Sequence, residues 1–188
     1  MGEDKGLMLF KNKPMIVHLL EKLKNEVDEV LLVLRNEKQC QQYHKILKPT
    51  INYEFDLKIL PDEIESQGPL SGIYTGLKHI NTDHALVLPC DSPLISPVFV
   101  KKIFKKFIEY KEKYDALVPY QREKSGENLE PLHAIYTKKT RKIIYAQLSV
   151  GRKEVKSFIK KLHTLYVKVD KLDPTLLTFK NFNQAADF

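Results

Sequence analysis

The sequence predicts an α/β protein: a doubly wound, mostly parallel sheet with helices on both faces. Three features carry that expectation. Short apolar runs alternate with longer amphipathic stretches, the pattern of βαβ units. The runs at residues 30–34 and 85–88 are apolar without interruption, as strands buried on both faces of a parallel sheet are. Acidic and turn-forming residues close those runs, at the carboxyl edge where such sheets take ligands.

Taken in order, residues 7–10 form a short apolar run behind a charged, glycine-flanked stretch. A doubly wound sheet normally opens on a central buried strand, and this run is too weak to be one. Either the first central strand is missing, or the strand order differs from this reading. Ile16, Leu19, Leu20 and Leu23 recur at helical spacing, so a helix is predicted over residues 13–25. Residues 30–34 read as a strand, and Tyr43, Ile46 and Leu47 mark the next helix. Residues 57–60 make a short strand closed by Pro61 and Asp62. Gly68-Pro69-Leu70-Ser71-Gly72 turns into a helix reaching Ile80, and residues 85–88 form a second buried strand. Val100, Ile103, Phe104, Phe107 and Ile108 line one side of a long helix. Residues 116–119 and 132–136 are later strands. Helices over 138–148 and 152–163 precede an alternating strand at 165–169. Neither a repeat nor a Pro/Gly/Ser-rich linker interrupts the chain, so residues 1–188 are expected to form a single domain.

Composition narrows the class. A chain of 188 residues, 43% hydrophobic and 29% charged, has the balance of a globular protein rather than a disordered one. No uncharged apolar stretch is long enough for a membrane span, and no signal peptide opens the sequence. Two cysteines, Cys40 and Cys90, cannot build a disulfide framework or a structural zinc site. A cytoplasmic setting is expected. The net charge of +7 is uneven: residues 1–100 sum to −3, residues 101–168 to +11 and the rest to −1. The basic stretch is either a solvated lysine face or the partner of an anion such as a nucleotide. Its lysine clusters lack interleaved exposed aromatics, which argues against single-stranded nucleic acid.

Asp91 is the sharpest candidate for chemistry. It follows the strand at 85–88, and Pro89 and Pro93 stiffen the backbone around it. One Asp with phosphate oxygens and waters is a common Mg²⁺ environment, while capping of the next turn is the plainer role. Asp62 and the Gly68–Gly72 loop form a second constellation, open between ligand approach and turn chemistry. Asp4-Lys5-Gly6 is a third, in which Lys5 either meets a phosphate or is an ordinary surface lysine. The six histidines have no metal-ligand spacing. His133 reads as packed and hydrogen-bonded rather than catalytic, no Ser-His-Asp arrangement is legible, and Cys90 reads as packing.

The motifs gain meaning in sequence. Met1-Gly2-Glu3-Asp4-Lys5-Gly6-Leu7, Lys13-Pro14-Met15, Gly68-Pro69-Leu70-Ser71-Gly72, Leu88-Pro89-Cys90-Asp91-Ser92-Pro93, Glu130-Pro131-Leu132-His133-Ala134-Ile135-Tyr136 and Asn181-Phe182-Asn183 together resemble the molybdenum cofactor guanylyltransferase family. The resemblance implies a nucleotidyltransferase fold and transfer of GMP from Mg-GTP to the phosphate of molybdopterin, with release of pyrophosphate. It implies Mg²⁺ as cofactor, GTP and molybdopterin as substrates, and room for transient contact with other cofactor-biosynthesis proteins. By the same resemblance Lys5 contacts phosphate, Asp62 binds nucleotide and Asp91 holds Mg²⁺. Asn36 matches a nucleotide-contacting asparagine, and Asn181 and Asn183 match a pair on the cofactor side. Two other readings stay open: a related nucleotidyltransferase with another phosphate acceptor, and an inactive binding module.

One departure stands out. The family opens with a strand and a Leu-Ala-Gly-Gly-x-Ser-x-Arg loop ahead of its Met-Gly-x-Asp-Lys segment, whereas this sequence begins at that Met. It also stops inside what is normally a final helix. The expectation is a chain truncated at both ends, with a groove in mid-sheet, low affinity for GTP and poor solubility or activity.

Overall fold

Lys11 and Asn12 both take positive φ, 49° and 64°, as a two-residue hairpin turn requires. They join β1 (Leu9–Phe10) to β2 (Lys13–Pro14) in a small antiparallel pair. The computed structural model describes residues 4–47, 54–64, 68–123 and 126–180. Asn181 and Asn183 lie outside them.

The helix predicted over 13–25 is α1 (Met15–Leu23), which buries Met15, Ile16, Val17, Leu19, Leu20 and Leu23. Then come β3 (Glu29–Leu34), α2 (Glu37–Leu47), β4 (Asp56–Pro61) and α3 (Pro69–His79). The middle of the chain forms β5 (His84–Val87), α4 (Pro97–Ile108), β6 (Ala116–Glu123), β7 (Gly126–Leu129) and β8 (Ala134–Thr137). It ends in α5 (Arg141–Leu148), α6 (Val155–Ile159), β9 (Thr164–Lys168) and α7 (Val169–Leu172).

β3 and β4 pair in parallel, from Glu29 opposite Asp56 to Leu34 opposite Pro61. The larger sheet has the order β5-β8-β6-β7, with β9 parallel on β6. β8 is antiparallel to both β5 and β6, so β5, β6 and β9 run one way and β8 runs against them. The reversal follows from connectivity. β6 and β7 follow each other too closely for a crossover helix and pair antiparallel, and β8 runs in the direction of β7 to pair antiparallel further along β6. The sequence reading did not contain β7, and its second late helix shrinks to the short α6.

Helices cover both faces. Leu117 of β6 and Ile135 of β8 join the core formed with α1, α2 and α4. Ala116, Val118, Ala134 and Tyr136, one residue out of phase, join the core formed with α3, α5 and α6. This is the alternation that a two-residue strand period dictates.

No ladder joins β3 to β5. An apolar cleft of about 760 Å³ lies between them, lined by Leu31 and Val33 of β3, Ala85 and Val87 of β5, and Phe104 of α4. The expected mid-sheet groove is present. It also accounts for the partial exposure of Val30, Leu31, Val33 and all of β5, which the sequence predicted to be covered on both faces.

Candidate active site at the carboxyl ends of the strands

β3 and β4 run in parallel, so the loops that follow them share one end of that pair. Asn36 follows β3, Asp62 follows β4 and Asp91 follows β5. Asp62 N–H donates to the Leu34 carbonyl at 2.6 Å, tying the ends of β3 and β4 to each other.

Lys5 and Asp91, 86 positions apart, meet here: Lys5 Nζ lies 3.6 Å from Asp91 Oδ2. The Asp91 side chain is 26% exposed and that of Lys5 47%. An ion pair this open adds little to stability, so its value lies in where it puts the charges. Lys5 belongs to a single 3-10 turn, Lys5–Leu7, whose preceding Asp4 accepts from Gly6 N–H at 3.1 Å. Asp4 also accepts from Tyr43 Oη at 2.8 Å and Gln39 Nε2 at 2.5 Å, both on α2. The sequence reading gave Asp4 no role of its own. Its tether to α2 spans a separation no local pattern reveals.

Gly6 permits a close approach. A Cβ there would fall 2.3 Å from the Tyr43 hydroxyl and 3.2 Å from Cys90 Sγ. Burial, with Asp91 and Asp4 nearby, pushes the Cys90 thiol up to about 12, so it stays protonated and inert. The packing role read from the sequence fits that state.

Asp62 is heavily engaged. Its carboxylate accepts from Ser71 Oγ at 2.5 Å, Thr75 Oγ1 at 2.8 Å and Ile64 N–H at 3.2 Å. Ser71 and Thr75 are four apart on α3 and share a face. Gly68, with φ 73°, starts that helix. Asp62 thus fixes the Gly-Pro turn and the start of α3 relative to β4. Asn36 caps instead: its Oδ1 accepts from Gln39 N–H at 3.0 Å as α2 begins.

Ser92 Oγ lies 3.1 Å from His133 Nε2, and both residues are buried. His133 also makes edge contacts with the rings of Phe99 and Phe179.

Asp91 suits a metal ion that binds mainly through other oxygens. Among the described residues no group of three or more His, Cys, Asp or Glu could hold a metal. A single half-open carboxylate fits Mg²⁺, which keeps waters and shares phosphate oxygens.

The arrangement is one cation and one carboxylate at the mouth of an α/β sheet, which suits phosphate chemistry without a protein nucleophile. The profile of the MobA-like NTP transferase domain matches residues 1–165. The chain belongs to that family. Among MobA-like relatives, it is 37% identical over 187 residues to the probable molybdenum cofactor guanylyltransferase of Methanothermobacter thermautotrophicus, covering 100% of this chain and 90% of that one. It is 32% identical over 167 residues to the molybdenum cofactor guanylyltransferase of Vibrio cholerae, covering 88% and 73% of the two chains. The fold is similar to the crystal structure of molybdopterin-guanine dinucleotide biosynthesis protein A from Archaeoglobus fulgidus, with a TM-score of 0.78 and 24% identity. That match covers 99% of this chain and 87% of the other. A cytidylyl-type relative, 4-diphosphocytidyl-2C-methyl-D-erythritolsynthase from Anaerococcus prevotii, aligns with a TM-score of 0.72 at 14% identity, over 98% and 90% of the two chains. At those identities the likeness is one of fold.

Proposed function

We propose that this MobA-like chain transfers GMP from GTP to the terminal phosphate of molybdopterin. A phosphate oxygen of the acceptor attacks the α-phosphorus of GTP. The bond between that phosphorus and the bridging oxygen breaks, and pyrophosphate leaves with the electron pair. The Lys5–Asp91 pair carries this reading: a cation and a carboxylate 3.6 Å apart, after a strand end, are what triphosphate alignment needs. The acceptor phosphate is already ionised near neutral pH, so no general base is required.

Each residue then has a task. Lys5 donates to triphosphate oxygens as a point charge. Asp91 would hold Mg²⁺, which when bound would supply charge neutralisation for the leaving pyrophosphate. Asn36, at the end of β3, is proposed to contact the nucleotide. Asp62 acts on the nucleotide through the Gly68 turn that it anchors. Asn181 and Asn183 are proposed on the acceptor side. Among the described residues no helix is long and apolar enough to cross a membrane, and both cysteines are free thiols. A cytoplasmic setting is proposed for this chemistry.

The test is pyrophosphate release with molybdopterin and each of GTP, CTP, ATP and UTP. Release with GTP, dependent on Mg²⁺ and abolished in Asp91→Asn, is expected. Equal turnover of all four nucleotides, or full activity of Asp91→Asn, would overturn the reading.

A further inference from the structure

His133 is 4% exposed, wedged between Phe99 and Phe179 on the edge of β8. A phenylalanine would fill that space without the cost of burying an imidazole. The polar atoms of the ring therefore need a reason, and they point along one line. Nε2 meets Ser92 Oγ at 3.1 Å. Nδ1 faces Glu130 Oε2 at 3.5 Å and has no hydrogen-bond partner among the described residues. A carboxylate there places a proton on Nδ1 and leaves Nε2 to accept from the Ser92 hydroxyl.

Ser92 is tied a second way, since its carbonyl accepts from Ile95 N–H at 3.3 Å. Asp91 thus lies between the end of β5 and a residue pinned at both side chain and backbone. Phe179 adds a brace from the distal end of the chain. Next to it, Thr178 Oγ1 accepts from Ser96 N–H at 3.1 Å, just ahead of α4.

We propose that half-buried Glu130 and the buried His133 and Ser92 form a relay that sets the position of the Asp91 carboxylate, making His133 a positioning residue for the metal–triphosphate complex. The proposal rests on the reading of Asp91 as the metal-holding carboxylate. It predicts a loss of metal affinity without a matching loss of fold, because the apolar packing of His133 survives replacement by another ring.

The experiment follows Mn²⁺ binding in the presence of GTP by electron paramagnetic resonance, alongside thermal melting. The wild-type chain is compared with Asp91→Asn, Ser92→Ala, His133→Phe and His133→Gln. His133→Phe and Ser92→Ala are expected to melt near the wild type and to bind Mn²⁺ about tenfold more weakly, the usual scale for removing an outer-shell partner. His133→Gln keeps an acceptor for Ser92 and is expected to recover most of that affinity. Loss of binding in Asp91→Asn with wild-type binding in both His133→Phe and Ser92→Ala would overturn the relay and leave the Asp91 reading intact. Wild-type binding in Asp91→Asn would overturn both. Should His133→Phe fail to fold, Ser92→Ala decides the matter.

Discussion

Gly6 joins backbone geometry to charge placement. It lets the Lys5 turn lie against Tyr43 and Cys90, and that contact puts Lys5 beside Asp91. Gly6→Ala would drive a Cβ into the Tyr43 hydroxyl, so the turn or α2 must shift. We expect about 1–3 kcal/mol of destabilisation in urea unfolding, the usual cost of overpacking. A change within experimental error would mean that the turn yields freely. Lys5→Ala should weaken GTP binding more than GMP binding in calorimetry, because its proposed role is toward phosphates rather than the base. Equal losses for the two nucleotides would count against the phosphate role. The sequence marks both Lys5 and Asp91 as candidates, one beside a glycine and one after an apolar run. Their pairing is not marked, since nothing local couples positions so far apart.

At the level of elements, carboxylates do much of the fastening. Asp173, 1% exposed, follows α7 and accepts from the N–H and hydroxyl groups of both Thr175 and Thr178. Burial alone would raise its carboxyl, but those four hydrogen bonds outweigh burial and hold it below the usual range. With the folded value below the unfolded ~3.9, the contribution is whole above about pH 4 and fades as pH falls further. Asp173→Asn should therefore melt earlier than the wild type at pH 7, with the gap narrowing below pH 4. A gap that stays constant with pH would refute the linkage. Asp62 fastens α3 to β4 in the same manner, and Asp62→Ala should speed hydrogen exchange in the first turn of α3. The sequence marked Asp62 but showed only a turn beside it. Its partners Ser71 and Thr75 become visible only once α3 is known to present both to one side. The β strands tell a similar story. Runs of apolar residues located β3, β5, β6 and β8, yet the reversal of β8 depends on β7, whose Gly-Glu-Asn-Leu sequence has no apolar alternation to announce it.

Across the whole molecule, the cleft between β3 and β5 dominates. The strand edges facing it have no ladder to each other, and its walls are aliphatic and aromatic. Exposed apolar surface of this kind promotes association, so the protein alone is expected to aggregate as concentration rises. An apolar dye such as anilinonaphthalene sulfonate should fluoresce on the native protein and be quenched by Val87→Glu. A dye-silent native protein would indicate that the walls have closed in solution. His84 stands at one end of the cleft, where burial, with Lys111 nearby, lowers its imidazole below the ordinary value. The folded chain thus favours the neutral ring, and stability should fall as pH drops through about 6.5, where the unfolded histidine begins to take up its proton.

The cleft also has a calorimetric consequence. Apolar surface that water already touches in the native state cannot be newly hydrated on unfolding, and new hydration is the main source of the positive heat-capacity step. A chain of 188 residues would ordinarily show a step of about 2.3–2.8 kcal/mol/K. This protein should fall short of that, which flattens its stability curve with temperature. Any extended segment that filled the cleft would restore the missing heat capacity as well as the missing ladder.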